Sequence, residues 1–94
     1  LEIATRGGAE VLGRPECGQI AVGKRADIAI WDVSGIDTSG SWDPAALVLS
    51  GPRKVRTLYV NGVEIVRDFH MSAINLPSII EKQNKLVGAL QERL

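Results

Sequence analysis

What the chain lacks narrows its chemistry first. It has one histidine, His70, and one cysteine, Cys17, with no His-x-His and no Cys-x-x-Cys. A hydrolytic metal site needs several His, Asp, Glu or Cys ligands converging on one ion, so no metal site is expected within these residues. A lone cysteine excludes an internal disulfide and fits a reducing, cytoplasmic compartment. Excess charge is missing too: 11 Lys and Arg stand against 11 Asp and Glu, mixed along the chain. That balance points away from nucleic acid or an anionic membrane as partner. No apolar run approaches the ~18–20 residues of a membrane span, and no signal-peptide pattern is present. There is no internal repeat and no low-complexity tract. Gly13-x-x-x-x-Gly18 is not followed by the Lys-Ser/Thr of a phosphate loop.

The residues that could carry chemistry read as structural. His70, between Phe69 and Met71, reads as a surface or satisfied core residue. Cys17, near Arg14, has no obvious base to activate it and reads as a loop thiol. Lys24-Arg25 and Arg53-Lys54-x-Arg56 are short basic clusters expected at solvated turns and strand ends. No residue is assigned a catalytic, cofactor-binding or metal-binding role.

What is present is a pattern of local structure. The 94 residues suit one small α+β domain, burying about 60–65% of its unfolded surface and so thin in stability margin. Leu1, Ala4, Gly8, Val11 and Leu12 recur at helical spacing, predicting a helix over 1–12 closed by Gly13 and Pro15. Gly7 and Gly8 each cost about 1 kcal/mol there relative to Ala, so the helix is weak or another backbone approaches closely. Residues 18–33 read as a β unit: a short strand Gln19–Val22, a turn at Gly23-Lys24-Arg25 and a strand Asp27–Val33. That second strand is apolar on both faces, which suits a strand covered on both sides. Asp27 can accept hydrogen bonds from turn amides before it.

Ser34–Ser41 is a polar loop, and Trp42 after it reads as an anchor on the core, with part of a binding surface as the alternative. Asp43-Pro44 opens a short helix over 43–50, stopped by Gly51-Pro52. Residues 55–67 form a hairpin around Asn61-Gly62, the strongest short hairpin signal. A two-residue turn sets Val60 against Val63, Leu58 against Ile65 and Arg56 against Arg67. Leu58, Val60, Val63 and Ile65 are then expected on the buried face, with Thr57, Tyr59, Glu64 and Val66 on the other. Leu76, Ile79, Ile80, Gln83, Leu86, Val87, Leu90 and Leu94 make the stripe of a helix over 77–94. Ser78 with Glu81 is a possible capping box, and Asn75 is a rival cap.

Gly18-x-Ile20-x-x-Gly23-Lys24-x-Ala26-Asp27-Ile28, followed by Val55-x-x-Leu58-x-Val60-Asn61-Gly62-x-x-Ile65, resembles the amidohydrolase superfamily. Ala4-Thr5-x-Gly7-Gly8-Ala9-x-x-Leu12-Gly13 and Asp43-Pro44-x-Ala46-Leu47-Val48 are similar to its guanine, 8-oxoguanine and cytosine deaminase and triazine hydrolase branch. The resemblance spans about Ala4 to Asp68. It implies a β-sandwich segment of a composite domain, at the C-terminal end of a protein whose (β/α)8 barrel lies upstream of Leu1. The barrel would hold a divalent metal, zinc or iron, whose bound water attacks a ring carbon so that ammonia or chloride leaves. None of the catalytic residues so implied maps onto this chain; the matching positions, Gly18, Gly23, Asp27, Asn61 and Gly62, are structural. Asp68-Phe69 departs from the Asp-Gly usual in the family, and Phe69 resists the φ > 0 that glycine allows.

Two readings follow. One is a non-catalytic C-terminal segment of a deaminase-type amidohydrolase, partnered by the barrel and N-terminal strands of its own parent. The start at Leu1 rather than Met favours it. The other is a free-standing β-rich interaction module without enzymatic activity. On the first reading the isolated segment is expected to self-associate.

Overall fold

The computed structural model describes residues 1–51 and 53–94. Pro52, expected to help stop the second helix, lies outside the described residues. In chain order come α1 (Arg6–Val11), β1 (Ile28–Trp31), a 3-10 turn (Ile36–Thr38), α2 (Pro44–Leu49), β2 (Val55–Val60), β3 (Val63–Arg67), β4 (His70–Met71) and α3 (Leu76–Gln91).

The four strands make one antiparallel sheet in the order β1-β2-β3-β4. Among the described residues the strands form a single sheet. Asn61 and Gly62 both take positive φ (51° and 78°), the conformation a two-residue hairpin turn of this type demands. Val60 pairs with Val63 and Tyr59 with Glu64, but Leu58 then pairs with Val66. The expected pairing of Leu58 with Ile65 is therefore corrected. Ile65 is the extra residue of a bulge, and a bulge moves every later side chain by one position. A second bulge at Arg56 lets Trp31 pair with Val55 after Ile30 pairs with Thr57.

The bulge also changes which side chains are covered. Val66, placed on the open face by the plain alternation, is the best-buried of the hairpin at 5% exposure. Val60 and Val63, expected on the buried face, are 46% and 60% exposed. Leu58 and Ile65 are half-buried.

The β unit over 18–33 shrinks to one strand. Residues Gln19–Val22 form no strand, and Ile20 and Val22 point into solvent. The segment is instead folded by local bonds: Arg25 N–H donates to the Glu16 carbonyl at 2.8 Å, and Lys24 Nζ to the Pro15 carbonyl at 2.8 Å. Gly18 (φ 84°) lies against the start of α1, where a Cβ would sit 2.7 Å from the Thr5 carbonyl oxygen. β1 is an edge strand with Ile30 about half exposed, so among the described residues nothing covers both of its faces.

The helices differ from expectation at their ends. α1 begins at Arg6, because Leu1–Thr5 forms turns whose Glu2 and Ile3 carbonyls press on the next glycines. A Cβ on Gly8 would sit 2.8 Å from the Ile3 oxygen, so this glycine permits a close backbone approach. α2 is capped by Asp43 Oδ1, which accepts from Ala45 N–H at 3.0 Å. At α3 the rival cap prevails: Asn75 Oδ1 accepts from Ser78 N–H at 3.2 Å, and Pro77 occupies the first turn. No side chain of α3 is buried, so its apolar stripe is left open in this chain.

Phe69 corrects a further expectation. Asp68 (φ 45°) and Phe69 (φ 68°) together form the tight turn from β3 to β4, with Arg67 opposite His70. The Phe69 N–H donates to the Arg56 carbonyl at 3.0 Å, which helps hold a backbone conformation costing about 1–2 kcal/mol for a residue bearing a Cβ.

Candidate functional site

The described residues bring together three features: a polar clasp at the hairpin tip, a cation staple at the end of α2, and an open apolar groove beside β4. The clasp joins Asp27 to the Asn61-Gly62 turn. Asp27 Oδ1 accepts from Asn61 N–H at 2.7 Å, and the Ala26 carbonyl accepts from Gly62 N–H at 2.9 Å. Asp27 does meet a turn amide, but one in a turn far along the chain rather than its own. The half-buried Cys17 donates its thiol hydrogen to Asp27 Oδ2 at 3.8 Å. Cys17 is thus tied to the clasp, with the Asp27 carboxylate as its hydrogen-bond acceptor.

Arg53 is not the solvated charge the sequence suggests. Its side chain is largely buried: Nε donates to the Leu47 carbonyl at 2.7 Å and Nη1 to Asp37 Oδ2 at 2.9 Å. It stitches the C-terminal end of α2 to the 3-10 turn. That turn is pinned from inside by the buried Thr38, whose hydroxyl lies 2.6 Å from the Val33 carbonyl. Nothing in the basic cluster 53–56 distinguishes Arg53 in sequence; only the fold places Asp37 within its reach.

Nearby, Ser34 donates to Asp32 Oδ1 from its hydroxyl at 2.6 Å and from its N–H at 2.9 Å. These two bonds, the hydroxyl's first, hold the Asp32 carboxyl below its ordinary value. On the open surface the hydrogen-bonded Arg6 guanidinium lowers Glu2, while Glu16 is lowered first by a hydrogen bond from its own backbone N–H and then by Arg14.

The groove, of about 730 Å³, is lined among others by Val55, Val66, Phe69, His70, Met71 and Leu76. His70 Nδ1 lies 2.7 Å from the Asp68 carbonyl oxygen, a local bond that spends one ring nitrogen on the turn. Among the described residues no three His, Cys, Asp or Glu side chains cluster so as to hold a metal ion. The described residues therefore do not make up a ligand set for a resident catalytic metal. No helix is long and apolar enough to cross a membrane among the described residues. Trp42, expected on the core, is 95% exposed.

Comparison with known proteins gives this arrangement a context. The amidohydrolase family profile matches residues 1–65. The 8-oxoguanine deaminase of Pseudomonas aeruginosa is 35% identical over 88 residues, which is 93% of this chain and 20% of that protein. A 5'-deoxyadenosine deaminase of Methanosarcina mazei is 32% identical, over 100% of this chain and 22% of its own length. The fold superposes on the zinc complex of atrazine chlorohydrolase TrzN from Arthrobacter aurescens TC1 with a TM-score of 0.78. Identity there is 36%, over 92% of this chain and 19% of that one. This chain spans about a fifth of the length of the relatives it matches, and it belongs to the amidohydrolase family.

Proposed function

We propose that the chain is the C-terminal structural segment of a metal-dependent aminohydrolase, and that it supports a catalytic barrel supplied by the rest of its parent. The observation that carries this reading is the surface left open. The chain exposes 7840 Å², where a folded monomer of its mass exposes about 5,300 Å². Its radius of gyration is 17.3 Å, against about 12 Å for a compact domain of this length. Ala9 and Val66 are the buried apolar side chains among the described residues. A free-standing module has to bury a core of its own, and nothing here supplies one. The apolar faces of β1 and α3 instead suit burial against the parent's barrel and N-terminal strands.

The parent's activity follows in class from the relatives: hydrolysis of a C–N bond, or of a C–Cl bond, in a cyclic amidine-type substrate, with a purine- or pyrimidine-type deaminase preferred. Zinc or iron would be held by residues outside this chain. A reducing, cytoplasmic setting accords with the single Cys17.

Co-expression tests the assignment. The remainder of the parent, produced with this chain, is expected to fold, retain its metal and deaminate. The purified 94 residues alone are expected to bind no stoichiometric metal and to turn over no purine, pyrimidine or triazine. Tight stoichiometric zinc on the chain alone, by elemental analysis, overturns the reading.

A further inference from the structure

We infer that Asn61-Gly62 is a latent deamidation site whose reaction is restrained by the clasp from Ala26 and Asp27. The chemistry requires an asparagine followed by an unhindered backbone nitrogen. A base removes the proton of the Gly62 amide, and that nitrogen attacks Asn61 Cγ. The Cγ–Nδ2 bond breaks, Nδ2 takes a proton from water and leaves as ammonia, and a five-membered succinimide remains. Water then opens either carbonyl of the ring, giving aspartate or isoaspartate at position 61. Water is the one co-reactant, and no oxidant or reductant enters.

Both sides of this reaction are visible at the hairpin tip. Asn61 and Gly62 are exposed to water and base, and Gly62 has no Cβ to obstruct the attack. Yet the hydrogen that must leave is the one donated to the Ala26 carbonyl at 2.9 Å. The Asn61 N–H on the other side of the reacting residue is held by Asp27 Oδ1 at 2.7 Å. Ring closure needs the peptide between residues 61 and 62 to rotate, and these two bonds resist that rotation. The turn must detach from 26–27 before it can react. The restraint also has a consequence after the fact. Isoaspartate adds a carbon to the main chain between the two donated hydrogens, so both bonds to 26–27 cannot re-form together, and the damage is recorded in the hairpin.

The test is a time course of the intact protein carrying this chain at mildly alkaline pH, followed by trypsin and mass spectrometry of the fragment Thr57–Arg67. A synthetic peptide of the same eleven residues gives the unrestrained rate. The folded protein is expected to deamidate about tenfold or more slowly than the peptide, the effect of two net hydrogen bonds. In urea it should approach the peptide's rate. Asp27→Ala, shown by circular dichroism to be folded, should deamidate about three- to tenfold faster than the wild type. A wild-type rate equal to the peptide's overturns the inference, as does a folded Asp27→Ala protein no faster than wild type. Should Asp27→Ala not fold, the wild-type comparison with the peptide decides alone.

Discussion

The carboxylate of Asp27 holds the backbone N–H of Asn61 at 2.7 Å across thirty-four positions of sequence. A two-residue hairpin turn leaves its own amides facing outward, and here they are met by the chain just before β1. The bond makes the irregular 14–27 segment and the hairpin tip one structure. Asp27→Ala removes an ionised acceptor and is expected to cost about 1–2 kcal/mol, the low end for a charged group because the site is exposed. Asp27→Asn retains an acceptor oxygen and should cost less. Urea unfolding of the intact protein at neutral pH measures both, and an unchanged midpoint for Asp27→Ala contradicts the clasp.

That pair also marks how far the fold was legible in sequence. Asn61-Gly62 announced the hairpin because its turn conformation is a local property, and Asp43-Pro44 announced α2 for the same reason. The link from Asp27 to Asn61 could not be read, since each residue has a sufficient local explanation of its own. The Ile65 bulge is hidden because two-residue alternation does not show an inserted residue, and so plain alternation places Val66 on the wrong face. Ile20 and Val22 alternate like a strand, but among the described residues no partner strand lies beside them. The burial of Arg53 depended on tertiary placement.

Phe69 offers a direct measure of backbone strain. Phe69→Ala and Phe69→Gly both remove the ring from the groove, but only glycine relaxes φ 68°. The glycine variant is expected to be more stable than the alanine variant by about 1 kcal/mol. Equal denaturation midpoints for the two would mean that the turn is not held in this conformation.

Asp32 sets a pH dependence. Its folded value lies below the ordinary one because Ser34 bonds the ionised form, hydroxyl first and N–H second. A depressed carboxylate stabilises the fold above its unfolded value, and this contribution is lost as pH falls through the ordinary carboxylate range to the lower folded value. Ser34→Ala should move the Asp32 titration upward, as followed by NMR of the carboxyl carbon. No upward movement would show that the hydroxyl bond is absent in solution.

Trp42 reports on what covers the segment. At 95% exposure, its fluorescence in the isolated chain should resemble that of indole in water. In the parent protein the Trp42→Phe difference spectrum is expected at shorter wavelength, because a tryptophan buried at a domain contact leaves water. The same long-wavelength emission in both contexts would place Trp42 on a free surface of the parent.

The isolated chain should associate with itself. It exposes roughly 2,500 Å² more than a compact monomer of its mass, while a specific interface buries on the order of 1,200–2,000 Å² in total. The open area is therefore sufficient for a stable pair. Ile79, Leu86 and Leu90 lie on one face of α3, each exposed by half or more, and the apolar edge strand β1 likewise has no neighbouring strand on its outer side among the described residues. A helix with no buried side chain can cross to a second copy without sacrificing contacts at home, which makes exchange of α3 an accessible route. Sedimentation equilibrium at micromolar concentration is expected to show a dimer or larger species. Leu86→Lys combined with Leu90→Lys places two charges on the stripe and should weaken association by about tenfold or more, since burying either ammonium unpaired is costly. The test separates the two edges as well. If the double variant remains associated, the pairing runs through β1; if the wild-type chain is a clean monomer with Trp42 in water, the open faces are not adhesive and the barrel is not needed to cover them.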